Sequence, residues 1–185
     1  MTTSDIARDG VEALAALIAA VSVFLAYVQY RRSEHWKRKE FAQTQLVLLS
    51  KDPELRLAIT ALDWPSRILP VPEQYRDLIQ CATFEHTAQK LERALQPTPA
   101  KALSKEEEMY RDVFDRLFEH LGRIECALSL NLIFKDDLVG IEYWTAQIAT
   151  PRYITGDQRV LLKFLKAYGY ERVLHLIGRF QKVAR

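Results

Sequence analysis

The chain has 185 residues, 49% of them hydrophobic and 27% charged, with six glycines, seven prolines and a formal net charge of +2. That is enough apolar material for one core plus an appendage, and the scarcity of Gly and Pro beside abundant Glu, Lys, Arg and Gln favours helix over strand. Only Cys81 and Cys126 are present, with no CxxC pair or Cys/His cluster, which argues against a disulfide framework or a zinc site and for small buried thiols in a reducing compartment.

The charges are unevenly placed. Residues 1–30 hold one basic and three acidic residues, and 31–51 hold six and two. Residues 52–151 hold eleven basic and seventeen acidic residues, and 152–185 hold eight and two. A basic stretch and a basic C-terminal block therefore enclose an acidic middle.

From Ala13 to Tyr30 the sequence ALAALIAAVSVFLAYVQY carries no charged residue and is apolar all round, with Ser22 and Gln29 as mild exceptions. At helical rise this run spans ~27 Å, close to the hydrocarbon thickness of a bilayer. An amphipathic core helix keeps a polar face, and a cleaved signal peptide needs a basic start and a small-residue cleavage site, so both fit poorly. The run is expected to be a transmembrane helix. Arg8 alone precedes it, whereas Arg31, Arg32, Lys37, Arg38 and Lys39 follow, which places the N-terminus outside and the bulk of the chain in the cytoplasm. Tyr27, Tyr30 and Trp36 suit the interface, and the basic residues suit anionic headgroups. The expected organisation is a short extracytoplasmic N-terminus over 1–12, a transmembrane helix over 13–30 and a cytoplasmic helical domain over 31–185, in a bacterial inner membrane. Ala15 with Ala19 and Ala16 with Ala20 repeat small residues at a spacing that lets two spans approach, a route to a homo-oligomer.

The first helix continues to about Ser50, since nothing breaks FAQTQLVLLS. Asp52, Pro53 and Glu54 open a second helix as N-cap, first helical position and dipole complement. The prolines of DWPSRILPVPE end it. A third helix is expected over about 73–96, followed by a linker over 97–103. Ser104 and Glu107 form a capping-box pattern that opens the clearest helix, whose apolar positions Tyr110, Phe114, Leu117, Leu121, Ile124 and Leu128 alternate spacings of four and three. Asp136 or Asp137 caps a shorter helix stopped by Pro151. TGDQRVLLKFLKAYGY gives another, ended near Gly169, and the last places Val173, Leu176, Ile177 and Phe180 on one face. No strand pattern stands out, so the expected fold is all-α: the span followed by an antiparallel helical bundle.

Chemistry is sparse. His35, His86, His120 and His175 occur without HExxH or ExxH spacing and read as ordinary surface or boundary residues. GxGxxG, P-loop and GxSxG motifs do not occur. Arg116 lies three residues from His120 when those between are counted, and Arg111 eight, which misses the four to six of HEPN-type helical ribonucleases. Glu106, Glu107, Glu108, Asp112, Asp115 and Glu119 interleave with Lys105, Arg111, Arg116 and Arg123, the pattern of a solvated, salt-bridged face rather than a metal site. No catalytic residue, metal or cofactor is expected. The C-terminal block Arg159, Lys163, Lys166, Arg172, Arg179, Lys182 and Arg185 partly complements helix dipoles and otherwise offers a surface for anionic lipid or an acidic partner. Nucleic acid ranks third, because no recognition motif accompanies it.

The apolar run with its basic exit, RKEFAQTQLVLLSKDPELRLAI, YRDVFDRLFEHLGRIE and LIFKDDLVGIEYW together resemble bacterial membrane proteins with one N-terminal span and a helical cytoplasmic domain of unknown function. The resemblance implies architecture and no catalytic residues. The expectation is a membrane-anchored binding or scaffold module that holds a protein partner at the inner membrane. The alternative is a membrane-tethered effector of defence or toxin type, acting on the bilayer or on nucleic acid.

Overall fold

Asp52 ends one helix and starts the next. Its carboxylate accepts from the backbone N–H groups of Glu54 and Leu55, with Pro53 at the first helical position. Helix α1 (Thr3–Lys51) therefore passes directly into α2 (Pro53–Asp63). The computed structural model describes residues 3–99 and 101–181, and side chains from Leu17 onward. The chain divides into two units, residues 1–41 and 42–185.

In the first unit, α1 exposes nearly every described side chain from Leu17 to Phe41, apolar ones included. Ser22 returns its hydroxyl to the Ile18 carbonyl, so its polar group is satisfied within the helix. Among the described residues, no helix is long and apolar enough to cross a membrane. The spanning helix expected over 13–30 is thus not met within the described residues. That run begins at Ala13, and the side chains of residues 13–16, like those of 1–12, lie outside them.

The second unit is a helical bundle built around α5 (Lys105–Ser129). The expected capping box is present: the Ser104 hydroxyl accepts from the Glu107 N–H, and the Glu107 carboxylate accepts from the Ser104 N–H. The six-residue seam from Tyr110 to Leu128 is buried, and so is a second set, Met109, Val113, Phe118 and Ala127. Both sets are needed because α5 is covered from several sides, by α2, by α4 (Ala88–Ala94) and by α8 (Glu171–Gln181). Helices α6 (Ile141–Ala149) and α7 (Val160–Ala167) close the bundle against α8. Gly169, at φ +76°, makes the left-handed turn between α7 and α8, with the Tyr170 N–H bonded to the Leu165 carbonyl. The stripe Val173, Leu176, Ile177 and Phe180 is buried as expected.

The all-α expectation needs a correction. Residues 66–70 and 83–87 form strands β1 (Ser66–Pro70) and β2 (Thr83–Thr87), paired antiparallel with Leu69 opposite Phe84 and Arg67 opposite His86. The helix expected over 73–96 is therefore three pieces: a 3₁₀ turn running into α3 (Arg76–Ile79), the strand β2, and α4. Helix α3 ends because Gln80 takes a left-handed φ of +60°. Phe84 and His86 then alternate inward with exposed Thr83 and Glu85 outward, a two-residue period set by the core beneath.

Candidate functional site

The residues expected at a membrane interface all stand on α1. Tyr27, Arg31 and His35 form one row at four-residue spacing, and Val28, Arg32 and Trp36 form the next; a shallow groove runs between the rows. Tyr27, Tyr30 and Trp36 are exposed, Trp36 by 74%. Arg31, Arg32, Lys37 and Lys39 are exposed and Arg38 is half-buried. Lys37 pairs loosely with Glu34 at 3.8 Å, a contact of little energetic weight at such exposure.

The basic C-terminal block is distributed over two helices. Arg159 stands just before α7 and makes no side-chain bond to its first turn, Lys163 and Lys166 lie along it, and Arg172 and Arg179 lie on α8; Lys182 falls outside the described residues. Lys163 is held by Asp157 at 2.5 Å. Arg179 reaches back into the bundle, donating to Glu125 at 2.8 Å and to the Ser129 hydroxyl. Arg172 lines a shallow cleft with Arg123 and Gly122 of α5. Part of the block thus ties helices together.

Two histidines differ from the surface reading. His86 and His120 are wholly buried. The Trp64 carbonyl can only accept, so His86 donates to it through Nε2 at 2.8 Å, and Nδ1 accepts from the Tyr110 hydroxyl at 2.5 Å. His120 donates through Nε2 to the Gln45 carbonyl at 3.0 Å, with the Arg123 guanidinium 3.5 Å from Nδ1. Burial lowers both imidazole pKa values, which keeps the rings neutral. Burial pushes Tyr110 far above the ordinary phenol range. These rings bolt the hairpin and the last turns of α1 to α5.

The acidic face of α5 is likewise engaged. Arg116 bridges Asp52 at 2.8 Å and Glu54 at 2.7 Å, and Gln74 also bonds Glu54. Burial raises Glu54, against the lowering pull of Arg116. Asp115, raised chiefly by burial, accepts from the Tyr170 hydroxyl, and Lys90 pairs with Glu106. Glu107 is buried rather than solvated, held by its capping role and by Arg93. Among the described residues, no group of His, Cys, Asp and Glu could hold a metal ion. Cys81 is exposed and Cys126 half-buried, both free, which corrects the buried-thiol expectation for Cys81.

The structure also assembles a surface that the sequence did not announce. The Tyr143 hydroxyl donates to Asp63 at 2.6 Å, which joins α6 to the end of α2. Beside Asp63, the Arg67 guanidinium lies over the exposed Trp64 ring at 4.8 Å, and Arg152 lies over Tyr153 at 5.4 Å. Trp, Tyr and Arg dominate binding energy at protein interfaces, because they combine large apolar area with polar reach. The only sequence signal was composition, Trp, Tyr and Arg beside the helix breaks in DWPSR and TPRY.

Comparison with protein-family models, with curated proteins and with solved structures finds no match to this chain.

Proposed function

We propose that this chain is a membrane-anchored helical module. Residues 13–30 cross a bacterial inner membrane with the N-terminus outside, and the unit from Ala42 holds a protein partner at the cytoplasmic face. The observation that carries the reading is the exposure of Leu17, Ile18, Val21, Val23, Phe24 and Leu25 around α1, ahead of Arg31 and Arg32. Contiguous apolar surface of this kind calls for a cover, and the uncharged run with a basic, aromatic exit is suited to lipid.

The scaffold part of the reading rests on how the second unit spends its polar groups. Arg116, Arg179, His86 and His120 hold elements to one another, while Trp64, Arg67, Tyr143 and Arg152 are presented outward. Two basic side chains on that patch favour a partner segment that is acidic and apolar.

Protease treatment of intact spheroplasts tests the topology. An N-terminal epitope tag should be removed while a C-terminal tag on the same full chain survives until lysis. Protection of both tags before lysis would overturn the reading.

A further inference from the structure

Strand β1 has a neighbour on one edge only, because among the described residues its sheet holds β2 and no other strand. The bonds at the two ends of the hairpin show which residues face that neighbour. The Val71 N–H donates to the Ala82 carbonyl, and the Ala88 N–H donates to the Pro65 carbonyl. Bonded and non-bonded pairs alternate along an antiparallel register. Residues 65, 67, 69 and 71 therefore turn their backbone polar groups to β2, and Ser66 and Ile68 turn theirs away. Each of these two presents an N–H and a carbonyl outward, and Trp64 through Ile68 are all exposed. The outer edge of β2 offers less, since the Glu85 carbonyl accepts from Lys90 and the chain turns into α4 at Thr87.

An open edge is a template for another chain, and short length and charge are what keep chance strands off it. The side chains of β1 select what can pair. Arg67 shares a face with buried Leu69, and its guanidinium lies over the exposed Trp64 ring. Ser66 and Ile68 share the opposite face, where Ile68, 71% exposed, stands across from Glu85. A strand laid on this edge thus meets a guanidinium on one face and an aliphatic side chain backed by a carboxylate on the other. Acidic residues match the first face and apolar ones the second. A second copy of the chain matches badly, because the pairing that bonds Ser66 to Ile68 of the other copy sets the two Arg67 side chains directly opposite each other. From these observations we infer that β1 takes an extended acidic segment of a protein partner as a third strand, its backbone bonded to Ser66 and Ile68 and a carboxylate against Arg67. The inference deepens the partner-holding reading above and is independent of the membrane anchor.

The test selects binders for the full chain, held in detergent micelles, from a displayed library of random peptides. Backbone amide exchange of the unaltered chain is then followed with a selected peptide bound. The expected peptides alternate Asp or Glu with Val, Ile or Leu. The expected exchange pattern is new protection at Ser66 and Ile68, with Arg67 and Leu69, already bonded to β2, unchanged. Ile68→Pro removes an outward donor and leaves the bonds to β2 in place. It should weaken binding ~10-fold, and Ile68→Thr, which keeps the N–H, should weaken it less. Protection that spares Ser66 and Ile68, or binding untouched by Ile68→Pro, overturns the strand addition; if Trp64→Ala abolishes that same binding, the partner patch stands. Selected peptides without acidic residues overturn the proposed occupant. Binding insensitive to both substitutions, or no selected peptide at all, overturns the edge and the patch together. A dimer of the full chain that Ile68→Pro dissolves overturns the peptide in favour of a second copy.

Discussion

The Tyr110 hydroxyl lies 2.5 Å from Nδ1 of His86, and both side chains are wholly buried. This contact fastens β2 to α5, and the other nitrogen of the same ring fastens β2 to the end of α2 through Trp64. A wholly buried imidazole needs both partners, because each orphaned polar atom costs about 1–3 kcal/mol. Tyr110→Phe is expected to lower unfolding free energy by that amount without changing the fold, as read from denaturant midpoints and circular dichroism. An unchanged midpoint would mean that the ring is not locked by this bond.

Stability is expected to fall as pH drops through about 6.5. His86 and His120 are held neutral by burial, so their native pKa values lie below the ordinary value of 6.5. The unfolded chain then binds more protons than the native one below that value, and each ring contributes a slope of at most about 1.4 kcal/mol per pH unit. Glu54 and Asp115, raised by burial, work in the opposite direction at lower pH, above their usual 4.5 and 3.8. The fall is therefore steepest just below neutrality. Denaturant midpoints across that range should show it, and His120→Gln, which keeps a donor for the Gln45 carbonyl, should flatten the profile.

Arg179 and Lys166 belong to the same basic block but have different jobs. Glu125 is almost wholly buried and relies on Arg179 and Ser129, with its second oxygen otherwise unpartnered. Arg179→Ala is expected to cost about 1–2 kcal/mol of stability, less than for a fully buried pair because Arg179 is half exposed. Lys166→Ala should stay within about 0.5 kcal/mol. Thermal unfolding of the two variants side by side checks the contrast.

The Trp64 patch predicts where a protein partner is met. A photo-crosslinking amino acid at Ile68, exposed on β1 beside Arg67, should capture one discrete partner in living cells. Trp64→Ala should reduce that product by ~10-fold or more, as loss of a central aromatic anchor does, while far-UV circular dichroism is unchanged. An undiminished product would place the partner elsewhere.

The helices were legible because their signals are local. The capping box of Ser104 and Glu107, the Asp52–Pro53 start and the four-three spacing along α5 each lie within a few turns of chain. The hairpin was hidden because five residues of alternation between breakers carry too little pattern, and helix formers on both sides invited one long helix. The burial of His86 and His120 is hidden for a different reason. Their partners Tyr110 and Gln45 lie 24 and 75 residues away, so nothing near them in the chain marks them as buried. The Trp64–Tyr143 patch is non-local in the same way, with Asp63 and Tyr143 separated by 80 residues.

Alkaline-carbonate extraction of cell membranes tests the central claim most directly. The full chain is compared with a variant carrying Val21→Arg and Leu25→Arg, each charge costing about 2.5–3.5 kcal/mol at the centre of a span. The account predicts that the full chain stays in the membrane pellet and that the doubly charged variant is released. Release of the unaltered chain would contradict it, because α1 would then be covered by protein and not by lipid.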